Sequence, residues 1–512
     1  MKSRTKIVSQ LKQLSKEIHV LTDLEDRYVY SFEKIFTKQA YPALDIVVKV
    51  SSPKETSKII QWAEKEDISL IWREKPFSSL LYESKKPVIL IDDAKIPELE
   101  IISEKNRKKK DIDEIFQELQ RNVHSIYRNT VLATKTSILN QNIIYCLQKS
   151  ICSGYCTVTP SFNEIETWSS KGRMLLIKGL MKGALNLSDK IIDIIYTCSK
   201  CGHCFAECYP NSDFHKAITT IRNKINSENL SPKVFHEVAA NIFEHGDPSA
   251  TPVERRLSWL KNVSRFKLPK KADNLYWVGC MVATRTPNTA KSLFNILNHN
   301  QIDFTMLDKN EGCCGYVLVS SGLWDEAKKV ANEVIKRIEK INVNNLITPC
   351  AGCYYTFKKL YPEILGISLP CEVLHSSQFL EEILNENEMK LNAIPKNISY
   401  HDPCSLGRHC GVYEAPRNVL KAIPKLNFNE TQFNKKNSRC CGGGGGLWTY
   451  NYRVSMDSAY TRLKEDFLSL NADILITACP QCQMNFNITS RRKSIPLQIK
   501  DIVEIVELAM IL

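Results

Sequence analysis

Apolar positions along the first hundred residues switch between helical spacing and short buried runs. Ile7 to Leu21 and Pro53 to Glu66 read as helices, the second opened by Ser51 and Ser52 as cap candidates. Leu44 to Val50, Ser69 to Trp72 and Val88 to Ile91 read as strands, so this front segment is α/β. From Ile112 to about Phe266 the pattern is mostly helical. From Asn274 onward, short buried strands (Tyr276 to Val278, Asp303 to Leu307, Asn345 to Thr348) alternate with helices such as Trp324 to Ile341, the pattern of a parallel α/β unit. A basic run at Lys105 to Lys110 makes a boundary, and the expected domains are 1–110, 111–266, 267–395 and 396–512.

Glycine and cysteine sharpen this division. All 19 glycines lie at Gly154 or later. In the last two domains one cysteine pattern occurs twice: Cys280, Cys313, Cys314, Cys350 and Cys353 recur as Cys404, Cys440, Cys441, Cys479 and Cys482. The offsets are 404 − 280 = 124, 440 − 313 = 127 and 479 − 350 = 129. Such near-constant spacing implies two copies of one α/β unit that display cysteines at strand ends.

The chain has 512 residues and 19 Cys. That length can bury real cores without crosslinks, and no apolar leader follows Met1, so the cysteines are expected to be reduced, cytoplasmic and available to metal. No apolar stretch reaches the ~18 to 20 residues of a membrane helix; at most a peripheral membrane association through a partner is expected. The formal charge of +13 overstates the true excess if the cysteines carry anionic clusters. The run at Lys105 to Lys110 has no interleaved aromatics and reads as a solvated linker, with no nucleic-acid partner.

The densest motif is Cys198-x2-Cys201-x2-Cys204-x3-Cys208 with Pro210 close behind. Three such thiolates wrap one iron–sulfur cube while the fourth ligates a second. The partner motif is Cys146-x5-Cys152-x3-Cys156, with Lys149 where a cysteine belongs. The pairing rule assigns Cys198, Cys201, Cys204 and Cys156 to one 4Fe-4S cluster. Cys146, Cys152 and Cys208 remain for the other, which is then a 3Fe-4S or a labile 4Fe-4S cluster. Zinc also accepts four thiolates, but zinc ribbons do not use this run. The repeated units hold one cysteine more than a cube needs. Adjacent cysteines, with Cα atoms about 3.8 Å apart, can bind or bridge neighbouring irons, and the glycine after each pair permits close backbone approach. The run Gly442 to Gly446 lacks the Lys-Ser or Lys-Thr of a phosphate cradle.

Cys-x32-Cys-Cys-Gly-x34-Cys-x2-Cys and Cys-x35-Cys-Cys-Gly-x36-Cys-x2-Cys resemble the two cysteine-rich CCG domains of heterodisulfide reductase catalytic subunits. The ferredoxin pair ahead of them gives the order of the fused D-type subunit. His401 to Arg417 and Gly172 to Ile177 fit the same family, which also takes in iron–sulfur subunits of glycolate and lactate oxidases. The resemblance covers roughly residues 130 to 512. It implies a non-cubane 4Fe-4S cluster on each set of five cysteines, acting on a disulfide/thiol pair. Alternatively, the chain is a relay that links a flavoprotein dehydrogenase to a quinone or other carrier. His401 and Arg408 flank Cys404 and could hold a proton or an anionic substrate near the cluster. Cys371 and Cys410 fall outside every motif and read as packed thiols.

Leu44 to Ile60, followed by Ile68 to Arg73, is similar to the start of the FAD-binding domain of flavin-dependent 2-hydroxy acid dehydrogenases. Where that family has a glycine-rich loop this chain has Glu74 to Leu81 without glycine, so a truncated, flavin-free module is expected and FAD is not expected in this chain. The lysine at 149 generates a direct test. Electron paramagnetic resonance of air-oxidised protein should show a three-iron signal that disappears in Lys149→Cys; an undiminished signal would mean that the ligands are paired differently.

Overall fold

The structure is a computed structural model and describes residues 4–15, 17–30, 46–50, 52–66, 68–72, 88–92, 156–206, 214–262, 268–269, 271–386 and 389–511. The chain divides into two units, Met1–Ser150 with Met174–Asn186, and Ile151–Arg173 with Leu187–Leu512.

In the first unit, strands β1 (His19–Leu21), β2 (Ile46–Lys49), β3 (Ser69–Trp72) and β4 (Val88–Asp92) form a sheet in the order β1-β2-β4-β3, with only β1 antiparallel. The helix expected over residues 7–21 ends at Leu14. Ser15 Oγ turns to Glu55 (2.8 Å) and accepts from the Glu17 amide (3.2 Å), and this competes with a further helical turn. The β-branched Ile18 and Val20 then continue into strand. Helix Pro53–Glu66 is as expected, with the Glu55 amide donating to Ser52 Oγ at 3.4 Å. Ile7, Leu11, Ile46, Val48, Ile59 and Trp62 form its core. Residues 74–81, where flavin absence was argued, lie outside the described residues.

The second unit carries two four-stranded, all-parallel sheets. The first contains β5 (Asn274–Tyr276), β6 (Phe304–Thr305), β7 (Asn345–Thr348) and β8 (Glu372–His375), ordered β6-β5-β7-β8. The second contains β9 (Asn397–His401), β10 (Asn427–Phe428), β11 (Ile474–Thr477) and β12 (Gln498–Asp501), ordered β10-β9-β11-β12. Corresponding strands are offset by 397 − 274 = 123, 427 − 304 = 123, 474 − 345 = 129 and 498 − 372 = 126, so the fold repeats with the cysteines. Strand β5 ends before the expected Val278. The Val278 and Gly279 amides leave the ladder and each donate to the Glu311 carboxylate at 2.7 Å.

Helices Asp189–Tyr196, Phe214–Ser227 and Lys233–His245 supply most of the helical part. Arg222, fully buried, joins it to both repeats. Its guanidinium donates to the carbonyls of Ile195, Tyr196 and Cys198, to Ser320 O at 2.9 Å in the first repeat and to Gly445 O at 2.6 Å in the second. A freed buried acceptor costs about 1–3 kcal/mol, so two left dry suffice for a loss of about 3 kcal/mol. Urea unfolding of Arg222→Met should show at least that loss in the main transition, and a loss under about 1 kcal/mol would mean the bonds are replaceable.

Candidate metal centres

In parallel α/β sheets, ligands gather beyond the carboxyl ends of the strands, where the strand order reverses. All ten repeat cysteines lie there. Cys280 and Cys350 follow β5 and β7, Cys313 and Cys314 the loop after β6; Cys404, Cys479, Cys440 and Cys441 follow the equivalent strands of the second repeat. Cys353 and Cys482 sit in the helices that Cys350 and Cys479 cap.

In the first repeat all five are buried. Cys280 and Cys313 sulfurs are 3.7 Å apart, and the amides of Gly315 and Cys353 each point at a sulfur, of Cys313 and Cys350, at 3.4 Å. Gly279, at φ +83°, has a backbone conformation that favours glycine, and a Cβ there would lie tightly, at 3.3 Å, against Cys353 Sγ and 3.8 Å from Trp277 Nε1. That indole N–H is fully buried and has no hydrogen-bond partner among the described residues.

The second repeat has the same plan. Cys441 and Cys482 sulfurs are 3.1 Å apart, and the amides of Gly442 and Gly443 point at Cys440 and Cys441 sulfurs at 3.2 and 3.4 Å. In each repeat the second cysteine of the adjacent pair receives hydrogen bonds from its neighbours. Cys313 and Cys353 hold Cys314 well below the usual thiol pKa, and Cys440 and Cys482 do the same to Cys441. The donors Cys353 and Cys482 are pushed up, first by those same bonds. Two sets of five converging thiols, each with backbone amides on the sulfurs, fit iron–sulfur binding.

His401 joins the second set: among the described residues, His401, Cys441 and Cys482 present ligand atoms within 4.8 Å of one another. Burial, first, lowers the His401 pKa, and among the described residues its Nδ1 has no hydrogen-bond partner. Arg408 lies among the cysteines: burial lowers its pKa, but the charges of Cys201, Cys404 and Cys440 outweigh that and raise it. It donates through Nε to Cys201 O (2.8 Å) and through Nη1 to the carbonyls of Lys436 and Ser438, which ties the ferredoxin-type run to the second repeat. Burial raises the thiol pKa of Cys371 to about 11 and of Cys410 to about 12, as for packed thiols.

Of the ferredoxin-type cysteines, Cys156, Cys198, Cys201 and Cys204 are described; Cys146, Cys152 and Cys208, with Lys149, lie outside the described residues. Cys198 feels the charge of Cys156 and of two buried arginines, Arg173 and Arg222. Arg173 donates to Trp168 O (2.5 Å), Ile194 O (2.8 Å) and Thr197 Oγ1 (3.3 Å), and lies 3.9 Å from Cys156 Sγ. None of these bonds is to a carboxylate, although the charge of Asp193 acts on Arg173, and an anionic four-thiolate cluster would offset the two buried cations further. Cys201 in turn shares a hydrogen bond with Cys440, and Ser199 Oγ lies 3.4 Å from Cys440 Sγ.

Sequence spacing did not single out Arg222, Trp277, Tyr316 or His375. Tyr316 follows the first Cys-Cys-Gly and its hydroxyl accepts from the Gly445 amide of the second repeat at 3.2 Å. His375 accepts on Nδ1 from the Ser377 amide (3.1 Å). Its Nε2 faces the carbonyls of Pro349 and Ala478, one residue ahead of each Cys-x2-Cys, without a well-aligned bond.

The family model described as "Cysteine-rich domain" matches residues 274–358 and 398–487. The D-type subunit of the dihydromethanophenazine:CoB–CoM heterodisulfide reductase of Methanosarcina acetivorans is 31% identical over 62% of this chain and 78% of its own length. The chain belongs to this family of D-type heterodisulfide reductase subunits, which are iron–sulfur oxidoreductases. One subunit of a fumarate reductase (CoM/CoB) from Methanothermobacter marburgensis is 27% identical over 62% of this chain and 61% of that protein. The probable iron-sulfur-binding oxidoreductase FadF of Bacillus subtilis is 27% identical over 61% and 46%. These relatives make the chain an iron–sulfur protein of electron transfer, and two of them are named as subunits of larger reductases. Among the described residues no helix is long and apolar enough to cross a membrane.

The matched environments of Cys314 and Cys441 imply matched losses. Cys314→Ser and Cys441→Ser should each remove about four irons per chain, read by iron analysis of anaerobically purified protein; loss from only one of the two variants would show that the repeats are not equivalent.

Proposed function

We propose that the chain reduces a disulfide to two thiols, or runs the reverse. Electrons would enter through 4Fe-4S clusters of the ferredoxin-type cysteines and reach two non-cubane 4Fe-4S clusters, one on each five-cysteine set. Cys198, Cys201, Cys204 and Cys156 would hold the described ferredoxin-type cluster. Cys146, Cys152 and Cys208 would hold a three-iron or labile four-iron cluster. The chemistry these groups supply is one-electron transfer. The balance is RSSR′ + 2 e⁻ + 2 H⁺ → RSH + R′SH.

The observation that carries this reading is that the two equivalent thiol sets lie close together: Tyr316, two residues after Cys314, accepts from the Gly445 amide, four residues after Cys441, at 3.2 Å, and Cys350 feels the charge of Cys479. A disulfide has two sulfurs to part, and a paired site can hold one on each side. The chain's own residues supply the rest. His401, beside Cys441 and Cys482, would keep a proton at hand on an imidazole with no competing partner on Nδ1 among the described residues. Tyr316 and the Gly444–Gly446 turn hold the repeats together, and the buried Trp277 N–H, without a partner among the described residues, would be a donor close to the first set. Cys201 against Cys440 supports entry of electrons on the second repeat's side. The disulfide named for the Methanosarcina relative, between coenzymes M and B, indicates the substrate class, a disulfide of two small thiols. Residues 1–110 would be a flavin-free docking module for the flavoprotein or other protein that supplies electrons, in the cytoplasm.

Anaerobically purified protein should hold about fifteen to sixteen irons with all four sites filled. Given reduced viologen and a panel of small disulfides, it should release two thiols per two electrons consumed. Full iron content with no turnover of any disulfide would instead favour an electron relay without a substrate of its own; about eight irons with zinc in the remainder would refute the paired clusters.

A further inference from the structure

A cleft of about 920 Å³ runs between helices Lys233–His245 and Trp324–Ile341, and its floor is Gly312–Cys313. No residue of the second repeat lines it, so it opens on a different side of the first cysteine set from the Cys350 edge, on which the charge of Cys479 acts. Its walls carry five cationic side chains, Arg256, Lys309, Lys329, Arg337 and Lys340, against two carboxylates, Glu244 and Glu333. Glu333 is already paired with Lys336 at 3.0 Å. Arg256 and Arg337 are anchored at the floor by bonds to Gly246 O (2.9 Å) and Glu311 O (3.5 Å). Lys309, Lys329 and Lys340 are exposed.

We propose that this cleft is the docking site of an acidic electron-carrier protein, which exchanges single electrons with the chain at the Cys313 edge of the first repeat, a second port in addition to the one through the ferredoxin-type cysteines. The inference rests on the reading that the first five cysteines hold an iron–sulfur cluster. The argument for a protein over a small anion is extent. Lys329 and Lys340 are eleven residues apart on one helix, about 16 Å at 1.5 Å per residue, and a small anion would span only one of them. The apolar wall points the same way: Phe243, 52% exposed, lies beside the cationic row, and an aromatic anchor within a charged rim is the usual make-up of a protein interface. In each encounter the carrier is oxidised by one electron and the cluster on the first repeat is reduced by one; no bond or proton need move.

The test uses the full cluster-loaded chain, with a reduced acidic two-cluster ferredoxin as probe and reduced methyl viologen, a small dication, as control. Cluster bleaching is followed by stopped flow. Ferredoxin should reduce the wild type at a rate that falls steeply as salt rises, and Lys329→Glu/Lys340→Glu should slow it at low salt by at least about tenfold. The viologen rate should not fall. Carbodiimide coupling to ferredoxin should place crosslinks at Lys309, Lys329 or Lys340. An unchanged ferredoxin rate in the double variant, an equal loss with viologen, or crosslinks from these lysines only to this chain's own carboxylates would each overturn the proposal. Wild-type protein without iron in the first repeat would overturn the reading beneath it, and is distinguished by iron analysis.

Discussion

A single buried guanidinium holds together the parts of this protein that matter for redox chemistry. Arg222 is surrounded by five carbonyl oxygens from three stretches of chain: the turn that carries Cys198, the helix after Cys314, and the glycine run after Cys441. The Tyr196 ring lies 5.0 Å from its carbon. Carbonyl dipoles alone compensate a buried charge incompletely, and of the groups whose negative form offsets that burial Cys198 acts most strongly. The cation that fixes the geometry thus gains from an anionic cluster at the site that it positions. Gly322 makes the close approach feasible, because a Cβ there would fall 2.4 Å from the Arg222 carbonyl carbon, and the residue sits at φ +93°.

Glycine serves the same end in the second repeat. A side chain at Gly445, at φ +62°, would meet the Ser199 carbonyl at 2.3 Å, and one at Gly442 would meet Ser455 O at 2.4 Å. The five-glycine run is therefore a seam along which the ferredoxin-type turn and the second repeat come close enough for Cys201 to touch Cys440. At the same turn, His409 stacks on Tyr355 (4.7 Å between centroids) and its Nε2–H donates to Lys200 O at 3.0 Å. Adjacent residues Arg408 and His409 thus both grip the Lys200–Cys201 backbone.

Much of this was legible in the sequence, for a physical reason: spacing encodes topology. The constant cysteine offsets followed from two copies of one β-α layout, and the strand offsets of 123 to 129 reproduce them. Helices Pro53–Glu66 and Trp324–Ile341 and strands Ser69–Trp72 and Asn345–Thr348 match their patterns to the residue. Errors arose where side chains redirect the backbone. Ser15 cut short the first helix, and Glu311, 33 residues downstream of Val278, captured two amides and ended β5 early. No local pattern reports a bond of that range. Arg222, Trp277 and His375 were invisible for the same reason, since an isolated Arg, Trp or His shows its role only once its partners are placed. Arg408 could be placed near Cys404 from its position in the sequence, whereas its bonds to the carbonyls of Cys201, Lys436 and Ser438 span 28 to 207 residues and could not.

The central claim is that both five-cysteine sets hold iron–sulfur clusters in equivalent fashion. Crystals of anaerobically purified protein, with anomalous diffraction measured on either side of the iron edge, test it most directly. The account predicts two multi-iron peaks of similar strength, one among Cys280, Cys313, Cys314, Cys350 and Cys353 and one among Cys404, Cys440, Cys441, Cys479 and Cys482. A single-atom zinc peak in either set, or a disulfide between adjacent thiols with no metal, would contradict it.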